Sequence, residues 1–443
     1  MDAVWLARLQ FALTVGFHYL FPPLSIGLSW MIVYFLARHR KTGDEAWRQT
    51  ARFWTRLFAV TFAVGVASGI TMEFQFGTNW AAYSRFVGDI FGAPLAAEGV
   101  FAFFLESSFL GVLLYGENRV SRRVYEWSAV LVALGATLSA FWIIVANSWQ
   151  QTPAGFELVN GRAELTSFWQ AAFNPSTLPR YAHTVAGALV TGTLFVLGCS
   201  AWLLLKGRHV ALAERSLRAA VLPFALSVLL SGVLGHHHAV QVARTQPVKL
   251  AAFEGLWETQ KSAPLLLFGV PNESAGRTDF AVAIPGGLSL LVGLRTDTEV
   301  AGLNAVPKED RPPLAPTFWS FHGMVYLFGW LALLAVFALV AVRGRDLAGN
   351  RLFLRAAAWS LPVPFIANEL GWFAAEIGRQ PWVVYNLMRT RDAVSAAVPA
   401  GQILASIILF SVIYSALFAL WLFLLNRQLT AGVPGPAREE ARS

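Results

Sequence analysis

Nine apolar runs constrain this chain more than any other feature. Crossing a hydrocarbon core takes about 20 apolar residues in a helix. Such runs fall at about 11–36, 53–73, 95–115, 125–147, 183–205, 217–235, 317–342, 353–376 and 402–425. Lipid offers the backbone no hydrogen-bond partner, so each run has to satisfy its own peptide groups as a helix. The expected fold is an all-α integral membrane protein with nine transmembrane helices. Composition agrees: 56% of the 443 residues are hydrophobic and 14% are charged, which is too apolar for a soluble domain. The N-terminus has no basic leader with a small-residue cleavage site, so the first run is read as a retained helix.

The loops give an orientation. Basic residues crowd the segment ARHRKTGDEAWRQTAR after the first run. They recur at Arg119, Arg122 and Arg123, at Lys206, Arg208, Arg215 and Arg218, and at Arg343, Arg345, Arg351 and Arg355. The alternate loops are near neutral or slightly acidic. The positive-inside rule then puts the basic set in the cytoplasm, the N-terminus outside and the C-terminus inside. The net charge of +8 is thereby a property of topology and does not call for nucleic acid. Four segments follow: spans 1–6 over 1–235, a long outer loop over 236–316, spans 7–9 over 317–427, and a flexible cytoplasmic tail over 428–443. A loop of that length is functional or disordered. The single cysteine, Cys199, excludes disulfides, four-cysteine metal sites and covalent haem attachment within the chain.

Ionisable groups at membrane depth are costly and mark function. His18, Glu98, His183, Met324 and Glu376 fall on five different runs, all near the outer end. Scattered packing residues have no reason to share a depth. Haem iron takes His, Met or carboxylate ligands from facing helices, which is what such a set offers. Glu98 and Glu106 share one run, about 12 Å apart along a helix axis, and Ser139 and Asn147 on the next run extend them into a proton path. Trp372 lies one turn before Glu376, and Arg379 three residues after it. His236, His237 and His238 are read as a solvated loop start, not as a metal site.

These residues occur in the stretches RLQFALTVGFHYLFPPLSIGL, TMEFQFGTNW, VGDIFGAPLAAEGVFAFFLESSF, LSAFWIIVANSWQQTPAGF, HTVAGALVTG, KLAAFEGLWETQ and GWFAAEIGRQPW. In that order and spacing, from about residue 5 to 425, the chain resembles subunit I of the cytochrome bd quinol oxidases. The loop length resembles the short quinol-loop form, with a cyanide-insensitive subtype as one reading. The resemblance implies a low-spin haem b held by His183 and Met324, a high-spin haem b held by Glu376, and a haem d, or a third haem b in its place, held by His18 beside Glu98. It implies Trp372 as an electron relay, and Arg379, Arg8 and His322 as partners of haem propionates or of the Glu376 charge. His322 stands where the family usually has arginine. Lys249 and Glu254 fall at the family's quinol positions in the outer loop. Implied partners are subunit II, small single-helix accessory subunits, quinol, O2 and the lipid of a bacterial inner membrane. The implied activity is quinol oxidation and reduction of O2 to water, generating proton motive force without pumping.

Two other enzyme classes fit poorly. A haem–copper oxidase needs about six intramembrane histidines, and a bc-type cytochrome b needs spaced histidine pairs on two helices. The competing non-enzyme reading is a proton-coupled transporter that uses Glu98, Glu106 and Glu376 without haem.

Overall fold

A computed structural model describes residues 2–344 and 347–432. Arg345 of the fourth basic loop and the tail from 433 onward lie outside the described residues. The chain runs through α1 (Ala3–Tyr19), α2 (Phe21–Thr42), α3 (Glu45–Thr78), α4 (Ala81–Ala97), a π-helical turn (Glu98–Phe103) and α5 (Phe104–Tyr115). Then come α6 (Arg122–Gln151), the hairpin β1–β2 (Phe156–Val159, Arg162–Leu165), α7 (Phe168–Ala172), α8 (Thr177–Leu205) and α9 (Val210–Thr245). The long loop holds α10 (Pro247–Glu254), the hairpin β3–β4 (Leu265–Asn272, Arg277–Ile284) and α11 (Gly287–Gly293). The chain closes with α12 (Leu314–Arg343), α13 (Arg351–Trp359), α14 (Val363–Ile377), the pair β5–β6 (Trp382–Val384, Met388–Arg389) and α15 (Ala400–Ala431).

Among the described residues, eight helices are long and apolar enough to cross a membrane, with α1–α2 and α4–α5 each counted as one. The run expected as the eighth span, 353–376, is instead two shorter helices, α13 and α14, separated at residues 360–362. Pro362 and Pro364 open α14 and cannot extend α13, because proline has no N–H to give and its ring clashes with the preceding turn. The third run also begins earlier than its hydropathy indicates. Arg85 and Asp89 break the apolar composition, yet Tyr83, Val87, Ile90 and Phe91 are buried at helical spacing, and the helix starts at Ala81. At the N-terminus, Pro22 and Pro23 divide α1 from α2, and His18 sits in the last turn of α1.

Three of the basic loops meet at one end of the bundle. Glu117, in the loop before α6, pairs with Arg52 and lies 3.5 Å from Arg48. Glu126 joins Arg122 at 2.8 Å and Arg40 at 3.7 Å. The guanidiniums of Arg38 and Arg215 lie 5.2 and 5.7 Å from the Trp47 ring centre. His209 contacts the Thr430 carbonyl at the end of α15. The helix continues to Ala431, so residues 428–431 of the expected tail are ordered.

The largest apolar core, built on α2, α3, α8, α9 and α12, fills this half of the bundle. A close seam of α2 on α8 belongs to it: a Cβ on Gly27 would lie 2.7 Å from Gly192 Cα, so only glycine lets the backbones approach. The long loop caps the opposite end and has its own core of Val248, Leu250, Phe253, Leu256, Leu288 and Leu314. It is ordered, and it starts ten residues later than expected because α9 continues to Thr245.

Candidate active site

Between the helices lies one cavity of about 1580 Å³. Pockets for single small molecules are about 300–1,000 Å³, so this one has room for more than one large group. His18, Glu98, Glu106, Ser139 and Asn147 line it, as do His183, His322, Met324, Trp372, Glu376 and Arg379. The exposed Arg8 reaches it from α1, and Lys249 and Glu254 from the long loop.

Three of the expected ligands face a glycine on a neighbouring helix. A Cβ at Gly69 of α3 would lie 3.1 Å from His18 Cε1. One at Gly235 of α9 would lie 3.1 Å from His183 Cε1. One at Gly371 of α14 would lie 2.8 Å from Met324 Sδ. Each glycine makes room for a side chain that turns into the cavity. At His18 the hydrogen bonding also sets the tautomer. Ser68 Oγ donates to the Gly65 carbonyl at 2.9 Å, so His18 Nδ1, 3.0 Å from that Oγ, is the donor between them. The Nε2 lone pair is left free, which is the state a metal requires.

Glu376 is the centre of a buried polar cluster. Its Oε2 accepts from Arg379 Nη2 at 2.5 Å, and its Oε1 accepts from Asn147 Nδ2 at 3.0 Å and Gln151 Nε2 at 3.2 Å. Arg180 Nη2 is 3.7 Å from Oε1 and also donates to Asn147. An ionised carboxylate has about four lone-pair sites. Three are occupied by direct hydrogen bonds, so Oε2 keeps one for a metal. The cluster also corrects an expectation. Asn147, expected to extend the proton path, lies near the C-terminal end of α6 and donates to Glu376. Ser139 donates to Glu98 Oε1 at 2.7 Å. Glu106 lies deeper and is buried, with room made by Gly135 of α6, whose Cβ would lie 3.0 Å from Glu106 Cβ.

The two long-loop residues are also buried. Lys249 is 3% exposed and Glu254 6%. Burial, and then the Arg180 charge, hold the Lys249 ammonium well below its ordinary value. Burial pushes the Glu254 carboxyl up to about 7, opposed by the Leu266 N–H that it accepts. His322 packs flat on Phe318, ring centres 4.0 Å apart, with its two ring nitrogens 3.3 Å from the Phe318 and Leu266 carbonyls. Both nitrogens are thus directed at the backbone and not at the cavity. His236, His237 and His238 are not a loop start: they belong to α9. The first two are exposed. His238 turns inward, its ring centre 5.7 Å from that of His183 and its Nε2 buried without a partner. Among the described residues no group of three His, Cys, Asp or Glu side chains is gathered for a bare metal ion.

The charge balance tests whether haem suits the site. Arg180, Arg379 and Lys249 are buried around one carboxylate, and Nε of both arginines has no partner. Buried charges need counter-charges, so this cluster is short of anions. Haem carries carboxylates as well as an iron, and the residues fit it on both counts.

Residues 6–433 match the family described as cytochrome bd terminal oxidase subunit I. The chain belongs to that family. It is 40% identical over 442 residues to the cytochrome bd ubiquinol oxidase subunit 1 of Bacillus subtilis strain 168, covering 98% of this chain and 94% of that one. It is 36% identical to the cytochrome bd-II ubiquinol oxidase subunit 1 of Escherichia coli K12, covering 97% of each. Its fold is similar to the bd oxidase structure from Geobacillus thermodenitrificans, with a TM-score of 0.91, 31% identity, and 96% and 98% coverage. The transporter reading is set aside.

Sequence reasoning missed Arg180, Gln150 and Gln151. Arg180 lies three residues before His183, on the same helix face. The glutamines follow Asn147 at the same kind of spacing, and Gln150 Oε1 accepts from Arg379 Nη1 at 2.8 Å. It also missed Glu369, whose Oε1 is buried without a partner where α14 meets Gly16 of α1. An acid within an apolar run was the available signal for Glu369.

Proposed function

We propose that this chain is the haem-bearing subunit of a quinol:oxygen oxidoreductase of the bacterial inner membrane. The buried cation surplus around Glu376, together with three ligand candidates set into glycine recesses, is the observation that carries this reading. Nine spans, the broken α13–α14 pair making one of them, put the N-terminus outside and the outer loop on the quinol side. His183 and Met324 would hold a low-spin haem b, Glu376 a high-spin haem b, and His18 a haem d or third haem b. Haem bound there would supply electron transfer and the reduction of O2 to water. Subunit II is the larger partner, with small accessory subunits beside it.

The chain's own residues bind, orient and move protons. Arg379 and Arg180 fix the Glu376 carboxylate and offer their free Nε donors to haem carboxylates. Trp372, one turn from Glu376, would serve as an electron relay. Glu106 and Glu98, with Ser139 on the latter, pass protons from the cytoplasmic side towards the His18 site. Glu254 takes a proton from quinol at the outer loop, so the protons leave outside and charge is separated without a pump.

A pyridine haemochrome assay on the purified complex tests this. Three haems per chain are expected, and a colourless complex would overturn the reading. A second measurement tests Glu254. A proton acceptor works only when ionised, and its carboxyl is pushed up to about 7. Quinol kcat/KM is therefore expected to fall about tenfold for each pH unit below that value and to level off above it. Glu254→Gln should lower kcat/KM by roughly 10²–10⁴-fold and abolish that acid limb. An unchanged limb would give the proton to another group.

A further inference from the structure

Lys249 opens the outer loop's first helix, yet its ammonium faces the bundle. Nζ donates to Gln151 Oε1 at 2.8 Å and to Gln246 Oε1 at 3.0 Å. Its stem packs on the backbone that follows α14: a Cβ at Gly378 would lie 3.0 Å from Lys249 Cγ. Gln151 is the last residue of α6, and its Nε2 donates to Glu376 Oε1 at 3.2 Å. Gln246 Nε2 returns to the Gln151 carbonyl at 3.1 Å, which holds the end of α6 against the start of α10. Two of the three lysine donors are therefore spent on amide oxygens.

The amide of Gln151 has one acceptor and one donor group, and its neighbours decide which way it points. A flipped amide would set its NH2 against an ammonium and its oxygen against a carboxylate. Both contacts would be repulsive, so the observed orientation is enforced from both sides. The link runs from the loop helix to the carboxylate through a single side chain.

We propose that Gln151 is a positioning residue through which Lys249 holds the Glu376 carboxylate in one orientation towards the cavity. This rests on Glu376 as an iron ligand, and it gives Lys249 a role other than direct contact with quinol. The outer loop is thereby mechanically and electrostatically joined to a haem ligand, and a movement of α10 is felt at Glu376.

A double-mutant cycle in the complete complex tests it, read by spectroelectrochemical titration of the haem held by Glu376 and by quinol KM. Removing a donor or a cation leaves the carboxylate more negative at the iron, which favours the oxidised state. Lys249→Met and Gln151→Leu are each expected to lower the midpoint potential. In the Gln151→Leu background the further shift from Lys249→Met should shrink to less than about half, because the link is already cut. Equal shifts in both backgrounds would mean that Lys249 acts only through space, and would sink the bridge. So would a large rise in KM with an unmoved potential. If the leucine variant does not assemble, Gln151→Glu reads the same link. It keeps the acceptor for Lys249 and turns the donor at Glu376 into an acceptor, so the potential should fall; a potential that stays put also overturns the proposal. Glu376→Ala separates the two claims. Loss of that haem's absorption alongside additive shifts removes the bridge alone, whereas its survival removes the ligand assignment beneath it.

Discussion

Glu376→Ala is expected to strip one haem from the complex and to abolish oxygen uptake. Two losses coincide at this position. The proposed iron ligand disappears, and so does the one carboxylate facing Arg379, Arg180 and Lys249. Leaving a buried charge without its partner costs about 3–5 kcal/mol, roughly 10²–10⁴-fold in whatever equilibrium holds the site together. Glu376→Gln separates the two effects. It keeps the shape and an acceptor oxygen for Arg379 but removes the charge, so haem content should fall while the protein still assembles. The measurement is haem per polypeptide together with oxygen uptake. Full haem content and normal uptake in the alanine variant would be incompatible with the assigned role.

Met324→Leu should leave the fold intact and change one haem's spectrum. A Leu–Met exchange conserves volume and costs less than about 1.5 kcal/mol in a core. The thioether is a different matter, since a His–Met pair gives a six-coordinate, low-spin iron and leucine cannot ligate. Loss of the low-spin spectrum is therefore expected, with quinol-driven oxygen uptake down roughly tenfold or more. Gly371→Ala reaches the same atom from the other side. Its new Cβ would lie 2.8 Å from Met324 Sδ, so it should displace the sulfur and give part of the same spectral change. Thermal stability near the parent's, combined with an altered spectrum, would separate ligation from packing. An unaltered spectrum in Met324→Leu would move the ligand elsewhere, His238 being a nearby imidazole with a free nitrogen.

Hydropathy found the long helices because lipid forces each backbone to satisfy itself, a rule that acts within a single segment. It misplaced ends wherever a helix runs beyond the apolar stretch. Arg85 and Asp89 hid the start of α4, and His236–His238 hid the last turns of α9. It also passed over the break at Pro362, because composition does not register a missing N–H. The side chains that face the cavity were legible, since a titratable group in an apolar run stands out. Their neighbours were not. Gln151 and Arg180 matter through what α10 and α14 bring to them, and the contact of Asn147 with Glu376 was not legible because the rise and turn of α6 decide which acid it meets. Ser139, earlier on the same α6, meets Glu98 instead. Gly69, Gly235 and Gly371 make room for three side chains, a role that shows only once two helices are side by side.

The π turn at Glu98–Phe103 decides how the two acids of that helix are aimed. Glu98 and Glu106 are eight positions apart, which in an unbroken α-helix would set them about 80° apart around the axis. A π turn absorbs one surplus residue, so the pair behaves as if seven apart and comes within about 20° of alignment. Both acids therefore point into one cavity, although the spacing in the chain says they should diverge. A one-residue deletion ordinarily swings everything downstream on a helix by about 100°. Inside this segment it would only remove the surplus and leave Glu106 pointing as before, so a membrane helix otherwise intolerant of length changes has one place where the reading frame of its faces can absorb one.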